Sequence, residues 1–376
     1  MGLDKNFPRQ PHNIIDPEVR WFPGSDNMGD KGRDKLLPPL VNKIRKDVSI
    51  WRDAGYPNIS EVTKSLLTYW FKTEHTNGFQ YYFAQRESVE TIIFLYEHEN
   101  IRTPSELLKY DSSGVLVESM FEETWLRLVI KQATGTGKTK VLSLLMAWCY
   151  FHKEFNKNSE LSKNFLLLAP NTIVLDRLKT DIEGLSVFNN DPVLPPNGYS
   201  GRSWNFYPKV HIQDNIGSLS KNGNIFLTNI QRFVTRTEEV NKNSSIDYFL
   251  GDKPVTKTSD NKILVRDIVN NVEDIIVLND EAHHIHEKKL AWFKTIENIN
   301  NSLVQKNSKL PLQLDVTATP KDQKGNIFPH TVSDYPLVEA IAQQVVKTPI
   351  LPDEASRGKL EENISAKFSE RWRDFI

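Results

Sequence analysis

The chain has a single cysteine, Cys149, so no disulfide framework can form within it. It also lacks any apolar run of about 18 residues and any N-terminal signal pattern. These absences argue against a helical membrane span and leave the cytoplasm as the expected compartment. Charge of one sign is missing as well: 47 Lys and Arg stand against 48 Asp and Glu, for a formal net charge of −1. Any nucleic-acid surface must then be a local basic patch rather than a global field. His284 and His286 have no accompanying Cys or third-ligand pattern, so they read as surface neighbours rather than metal ligands. No internal repeat is evident. What remains is globular: 376 residues, 39% hydrophobic and 25% charged, enough for two to three domains or one large domain with an extension.

Two stretches carry the chemistry. Gln132-Ala133-Thr134-Gly135-Thr136-Gly137-Lys138-Thr139 sets a glycine-rich turn, a lysine and a hydroxyl between an apolar strand (126–130) and an apolar helix (141–150). Backbone N–H groups and a helix N-terminus there suit a polyphosphate, and the lysine adds a point charge. Gln132 stands where the strict pattern has its first glycine. The second stretch, Asp280-Glu281-Ala282-His283, ends the apolar run 274–278. One acid can hold Mg²⁺ while its neighbour orients a water for attack on a γ-phosphate. Either stretch alone has a bland reading, as a surface turn or a solvated acidic loop. In this order, each at the C-terminal end of a predicted buried strand, the two imply a nucleoside triphosphate site.

Residues 1–35 read as an irregular arm, and 39–54, 62–71 and 83–96 as helices by their apolar spacing. On the first two helices, Lys43, Arg45, Lys46 and Arg52 are expected on a solvated basic face. From about residue 124, apolar runs at 126–130, 165–169, 210–212, 225–227, 275–278 and 312–316 alternate with helical or loop segments. That pattern predicts a mainly parallel, doubly wound α/β sheet. The polar interruptions 184–209 and 235–274 are expected to be surface insertions.

A third site, Val316-Thr317-Ala318-Thr319-Pro320, closes the last of these strands. With it the chain resembles superfamily 2 helicases, and within them the helicase subunits of type III restriction enzymes. The resemblance is carried by residues 83–91, 133–139, 168–171, 227–231, 278–284 and 316–320. It implies a RecA-like P-loop NTPase lobe over 81–345, preceded by an arm and helical extension over 1–80. It also implies ATP and Mg²⁺ as cofactors and DNA, duplex or single strand, as partner. Gln85 would read the adenine edge, an amide pairing bidentately with N6 and N7. Thr134, Gly135, Thr136 and Gly137 would cradle the phosphates, Lys138 would contact the β- and γ-phosphates, and Thr139 and Asp280 would hold Mg²⁺. Glu281 would orient or deprotonate the attacking water, and His283 would link the nucleotide site to the third motif. Thr317 and Thr319 would couple hydrolysis to movement. Asn171, Thr228 and Asn229 match strand-binding loops, though Asn171 and Asn229 are equally suited to cap the helices that follow.

The resemblance further implies a second helicase lobe and nuclease or methyltransferase components. No PD-(D/E)xK nuclease pattern is identifiable, and the stretch after Pro320 is about half or less of what another α/β lobe needs. Residues 346–376 therefore read as the start of a connection to an absent second lobe, and residues 1–376 alone as a poor ATPase and no helicase. Two other functions stay open: a DNA-repair or other defence helicase, and a non-catalytic module that binds nucleotide and DNA.

Overall fold

The computed structural model describes residues 4–21, 38–212, 218–229, 271–282, 289–319 and 328–347. Seven strands form one parallel sheet: β1 (Arg127–Gln132), β2 (Asn164–Ala169), β3 (Lys209–Ile212), β4 (Asn224–Asn229), β5 (Ile276–Asp280), β6 (Gln313–Thr317) and β7 (Thr331–Tyr335), in the order β3-β4-β2-β5-β6-β1-β7. This is the doubly wound α/β sheet that the sequence predicts. Successive side chains along a strand point to opposite faces, and each face has its own cover. On one face Leu128, Ile130, Leu167, Leu278 and Leu314 pack with α1 (Val41–Asp53), α2 (Glu61–Lys72) and α4 (Lys138–Phe155). On the other, Leu166, Leu168, Phe226 and Val277 pack against Ile296, Ile299 and Leu303 of α7 (Lys289–Val304). Cys149 lies buried in the first of these cores.

Four expectations need revision. The edge strand β7 escaped the pattern, because Thr331, Ser333 and Asp334 are buried at positions where apolar residues would have signalled a strand. Arg45 and Arg52 are not on a solvated face. Both are buried: Arg52 Nη2 lies 2.6 Å from Glu90 Oε2, and Arg45 Nη2 donates to Asp334 O at 3.1 Å. Of the four cations, Lys43 and Lys46 remain exposed. The stretch 184–209 is not merely a polar rim, since Phe188, Trp204 and Phe206 are buried: Phe206 and Trp204 meet Tyr150 and Phe151 of α4 edge-on, and Phe188 packs on Phe206. Most of the other insertion, 235–274, lies outside the described residues.

The N-terminal arm is also more than an irregular tail. Phe7 and Ile15 share a small core with Phe83, Ala133, Tyr335 and Ala340. Arg20 closes it: Nε and Nη2 donate to Glu339 at 2.8–3.0 Å, Nη1 donates to Glu87 at 2.6 and 2.8 Å, and Nη2 also donates to Asp334 O. One buried guanidinium thus joins the arm to α3 (Phe83–Ile93), β7 and α8 (Leu337–Ala342). Among the described residues, no helix is long and apolar enough to cross a membrane.

Candidate functional site

Three strands end together at one edge of the sheet. β1 runs out at Gln132 into the glycine-rich loop, β5 ends at Asp280, and β6 lies between them and ends at Thr317. Lys131 is in register with Thr317, and Asp280 with Val316. Two neighbouring ladders therefore carry the loop, the acid pair and the third motif to the side of the sheet where open α/β folds bind ligands.

The loop turns on Gly135 and Gly137, at φ +84° and +86°, values that glycine adopts freely and other residues do not. At Gly137 a Cβ would in addition stand 2.3 Å from Gln85 Nε2. Gln132 needs no such freedom, since it is not among the residues with positive φ. Its buried side chain instead donates to Ala84 O at 2.8 Å and to Ser88 Oγ at 2.9 Å, fastening β1 to α3. The departure from the strict loop pattern is thereby accommodated. Thr136 is buried and its hydroxyl donates to Ala133 O at 2.7 Å. Thr134 and Gly135 are exposed at the tip, and Thr139 is half-buried in the first turn of α4. Because α4 begins at Lys138, its unpaired N–H groups and positive dipole end adjoin the loop.

Gln85 sits on α3 against this loop. Its Nε2 donates to Thr136 O at 2.9 Å, and its Oε1 accepts from Tyr82 N at 3.0 Å. An amide has two N–H donors and two lone pairs. These two bonds use one of each, so the amide keeps a second donor and a second acceptor.

The acid pair is answered by two cations. Lys138 Nζ lies 2.8 Å from Glu281 Oε1, closing the loop onto the end of β5. Asp280 is fully buried, and Arg177 of α5 (Thr172–Ile182) donates to its Oδ2, while its Oδ1 accepts from Glu281 N at 3.1 Å. Burial raises the Asp280 carboxyl above its ordinary value, Glu281 adds to the rise, and Arg177 and Lys138 oppose it. Glu281 is held at φ +52°, a left-handed conformation that costs a non-glycine residue about 1–3 kcal/mol. His283 lies outside the described residues.

Behind the site, on the face of the sheet covered by α7, Asn279 donates to Asp315 Oδ1. Arg127 bridges Asp315 and Glu123 at 2.6–2.7 Å, and Gln313 Nε2 donates to Asp315 Oδ1 at 2.9 Å. This buried network ties β1, β5 and β6 at the residues immediately preceding Asp280 and Val316. Thr317 is buried and its Oγ1 accepts from Thr319 N at 3.2 Å, whereas Thr319 is exposed.

The residues expected at strand-binding loops differ among themselves. Thr228 and Asn229 are buried at the end of β4. Asn171 caps α5, its side-chain oxygen accepting from Val174 N at 2.9 Å. Asn171→Ala is expected to cost about 1 kcal/mol of stability, and Asn171→Asp, which keeps the acceptor, to restore most of it. Equal shifts of the urea midpoint in both variants would reject the cap as the source.

The donor set suits Mg²⁺: a buried carboxylate that already attracts a cation, and a hydroxyl at the helix start, with remaining positions open to water and phosphate oxygens. Among the described residues no three His, Cys, Asp or Glu side chains form an all-protein cage.

A family model described as "Type III restriction enzyme, res subunit" matches residues 79–322. That span covers most of the chain and takes in Gln85, the glycine-rich loop, the acid pair, Thr317 and Thr319. No curated protein and no solved structure matches the chain.

Proposed function

The chain belongs to the type III restriction enzyme res subunit family, within helicase superfamily 2, and from that premise we propose that it is the ATP-binding first motor lobe of a DNA-dependent translocase. The observation that carries the proposal is the contact of Lys138 with Glu281, which joins the glycine-rich loop to the acid pair. ATP would enter with its phosphates along residues 134–138 and the start of α4, where N–H groups and the Lys138 ammonium compensate their charge. Lys138 then exchanges Glu281 for the β- and γ-phosphate oxygens. With Lys138 on the phosphates, the Glu281 carboxylate would accept a proton from the water that attacks the γ-phosphorus, as ADP leaves. Mg²⁺ bound at Thr139 and Asp280 would supply the positive charge that phosphoryl transfer requires. Gln85 selects adenine with its remaining donor and acceptor, and its bond to Thr136 O passes base occupancy to the loop. Thr317 and Thr319, beside β5, are suited to move with the nucleotide state, and Asn171, Thr228 and Asn229 to meet DNA phosphates through backbone N–H groups and short side chains.

Lys138→Ala tests the reading. Calorimetric titration with a non-hydrolysable ATP analogue and Mg²⁺ is expected to show no detectable binding, with the circular dichroism spectrum retained. Affinity equal to that of the unsubstituted protein would reject the site.

A further inference from the structure

The partner of Asp280 is unexpected. Arg177 lies in the second turn of α5, on the helix that Asn171 caps, and its side chain is 50% exposed, whereas that of Asp280 is 0% exposed. Of the two carboxylate oxygens, Oδ1 is engaged by Glu281 N, and Oδ2 is the one Arg177 holds. The remainder of α5 packs on β2 and β4, with Leu175, Leu178 and Ile182 buried in the core. A guanidinium that reaches out of half-solvent to a buried carboxylate oxygen occupies the place a cation would take.

We infer that Arg177 is the resident counter-ion of Asp280, and that a divalent cation loading this carboxylate expels the Arg177 side chain from it. The inference rests on the reading above that Asp280 holds Mg²⁺, and it makes Arg177 a positioning residue that sets how readily the metal loads. Two cations on one buried carboxylate repel each other strongly, because the interior screens charge poorly. Exchange is therefore the low-energy route. It is inexpensive for Arg177, whose exposed half is already solvated, and it prevents Asp280 from standing buried and uncompensated between turnovers. The exchange also connects two places. The freed guanidinium belongs to the helix that starts at the Asn171 loop, so metal loading at β5 changes the charge presented by α5.

The test is a Mg²⁺ titration of the intact protein at saturating non-hydrolysable ATP analogue, read by calorimetry, with thermal unfolding in EDTA as a second readout. Arg177→Gln removes the competitor and is expected to lower the half-saturating Mg²⁺ concentration by about three- to tenfold. In EDTA the same variant should melt below the parent, and Mg²⁺ with the analogue should raise its melting temperature by more than it raises the parent's. Arg177→Lys keeps a cation but a weaker competitor, and should give a Mg²⁺ requirement between that of Arg177→Gln and that of the parent, an ordering that a merely structural role would not give. An unchanged or increased Mg²⁺ requirement in Arg177→Gln overturns the inference. If that variant does not fold, Arg177→Lys carries the decision: a weaker competitor must still lower the requirement measurably, and no change overturns it. Asp280→Asn separates the two readings. If its Mg²⁺ requirement equals the parent's, the magnesium assignment itself falls, and if it rises while Arg177→Gln shows no shift, only the counter-ion inference falls.

Discussion

Glu281→Gln is expected to bind ATP and Mg²⁺ with nearly parental affinity and to lose hydrolysis by about 10²–10⁴-fold, the usual contribution of a positioned general base. The substitution keeps the side chain's length and its hydrogen-bonding oxygen, so Lys138 can still donate to it, from an ammonium to an amide oxygen rather than as an ion pair. What it removes is the negative charge that attracts a proton from water. The strain is not relieved, because glutamine at φ +52° is as constrained as glutamate. The effect should therefore lie in the chemical step, and the two rates differ by about 3–5 kcal/mol in activation free energy. Steady-state ATP turnover with DNA present, measured beside analogue binding, checks both halves. Turnover within a few-fold of the parent would remove Glu281 from the mechanism, whatever its binding data show.

Arg20→Ala should produce the largest loss of stability, about 3–5 kcal/mol, which is the usual cost of leaving a buried charge without its partner. Two carboxylates depend on this guanidinium, Glu87 and Glu339, and both are buried. Against a total stability of about 5–15 kcal/mol, such a loss is a large fraction. The urea midpoint should fall accordingly, and a shift worth under about 1 kcal/mol would mean that water reaches the pair and screens it. The pH dependence has a definite sign. Burial pushes the Glu87 carboxyl up, but Arg20, then Arg45, outweigh it and hold the group below its ordinary value of 4.5. Its stabilising contribution is thus complete above that value and lost as pH falls through the lowered folded value. In Arg20→Ala burial would act on the Glu87 carboxyl with its main opposing cation gone, so protonation would relieve it at a higher pH than in the parent. The stability gap between parent and variant should accordingly narrow as pH falls, from the variant's higher Glu87 value down through the parent's lowered one.

The N-terminal arm illustrates where sequence reading stops. Residues 4–21 contain little regular structure, one short 3₁₀ turn at Pro17–Val19, and no periodicity to read. Yet Phe83 N donates to Pro11 O at 2.7 Å, and Gln343 Nε2 donates to Gln10 O at 3.0 Å. These bonds place the arm against the start of α3, the helix that carries Gln85, and against the C-terminal end of α8. Contacts between residues more than 300 positions apart leave no local trace. Arg45 and Arg52 were misplaced for a related reason. Helical spacing puts them off the apolar stripe, but a charged side chain is buried when another element brings a carboxylate or carbonyl to it, and that partner is unreadable from the helix alone.

The sequence by itself determined the chemistry-bearing turns and the sheet that carries them. A glycine-rich loop, a lysine and a hydroxyl must lie within a few residues of one another to hold a polyphosphate, so they form a contiguous string. Buried parallel strands likewise announce themselves as unbroken apolar runs, as residues 126–130, 165–169 and 275–278 do. Only the tertiary structure decided the pairings across the sheet: Lys138 with Glu281, Arg177 with Asp280, Gln132 with Ala84 and Ser88, and Arg20 with Glu87 and Glu339. Each joins groups from different elements, and its energy comes from excluding water around opposite charges or matched donors and acceptors. Strand order and register create that proximity, and neither is written in any single segment.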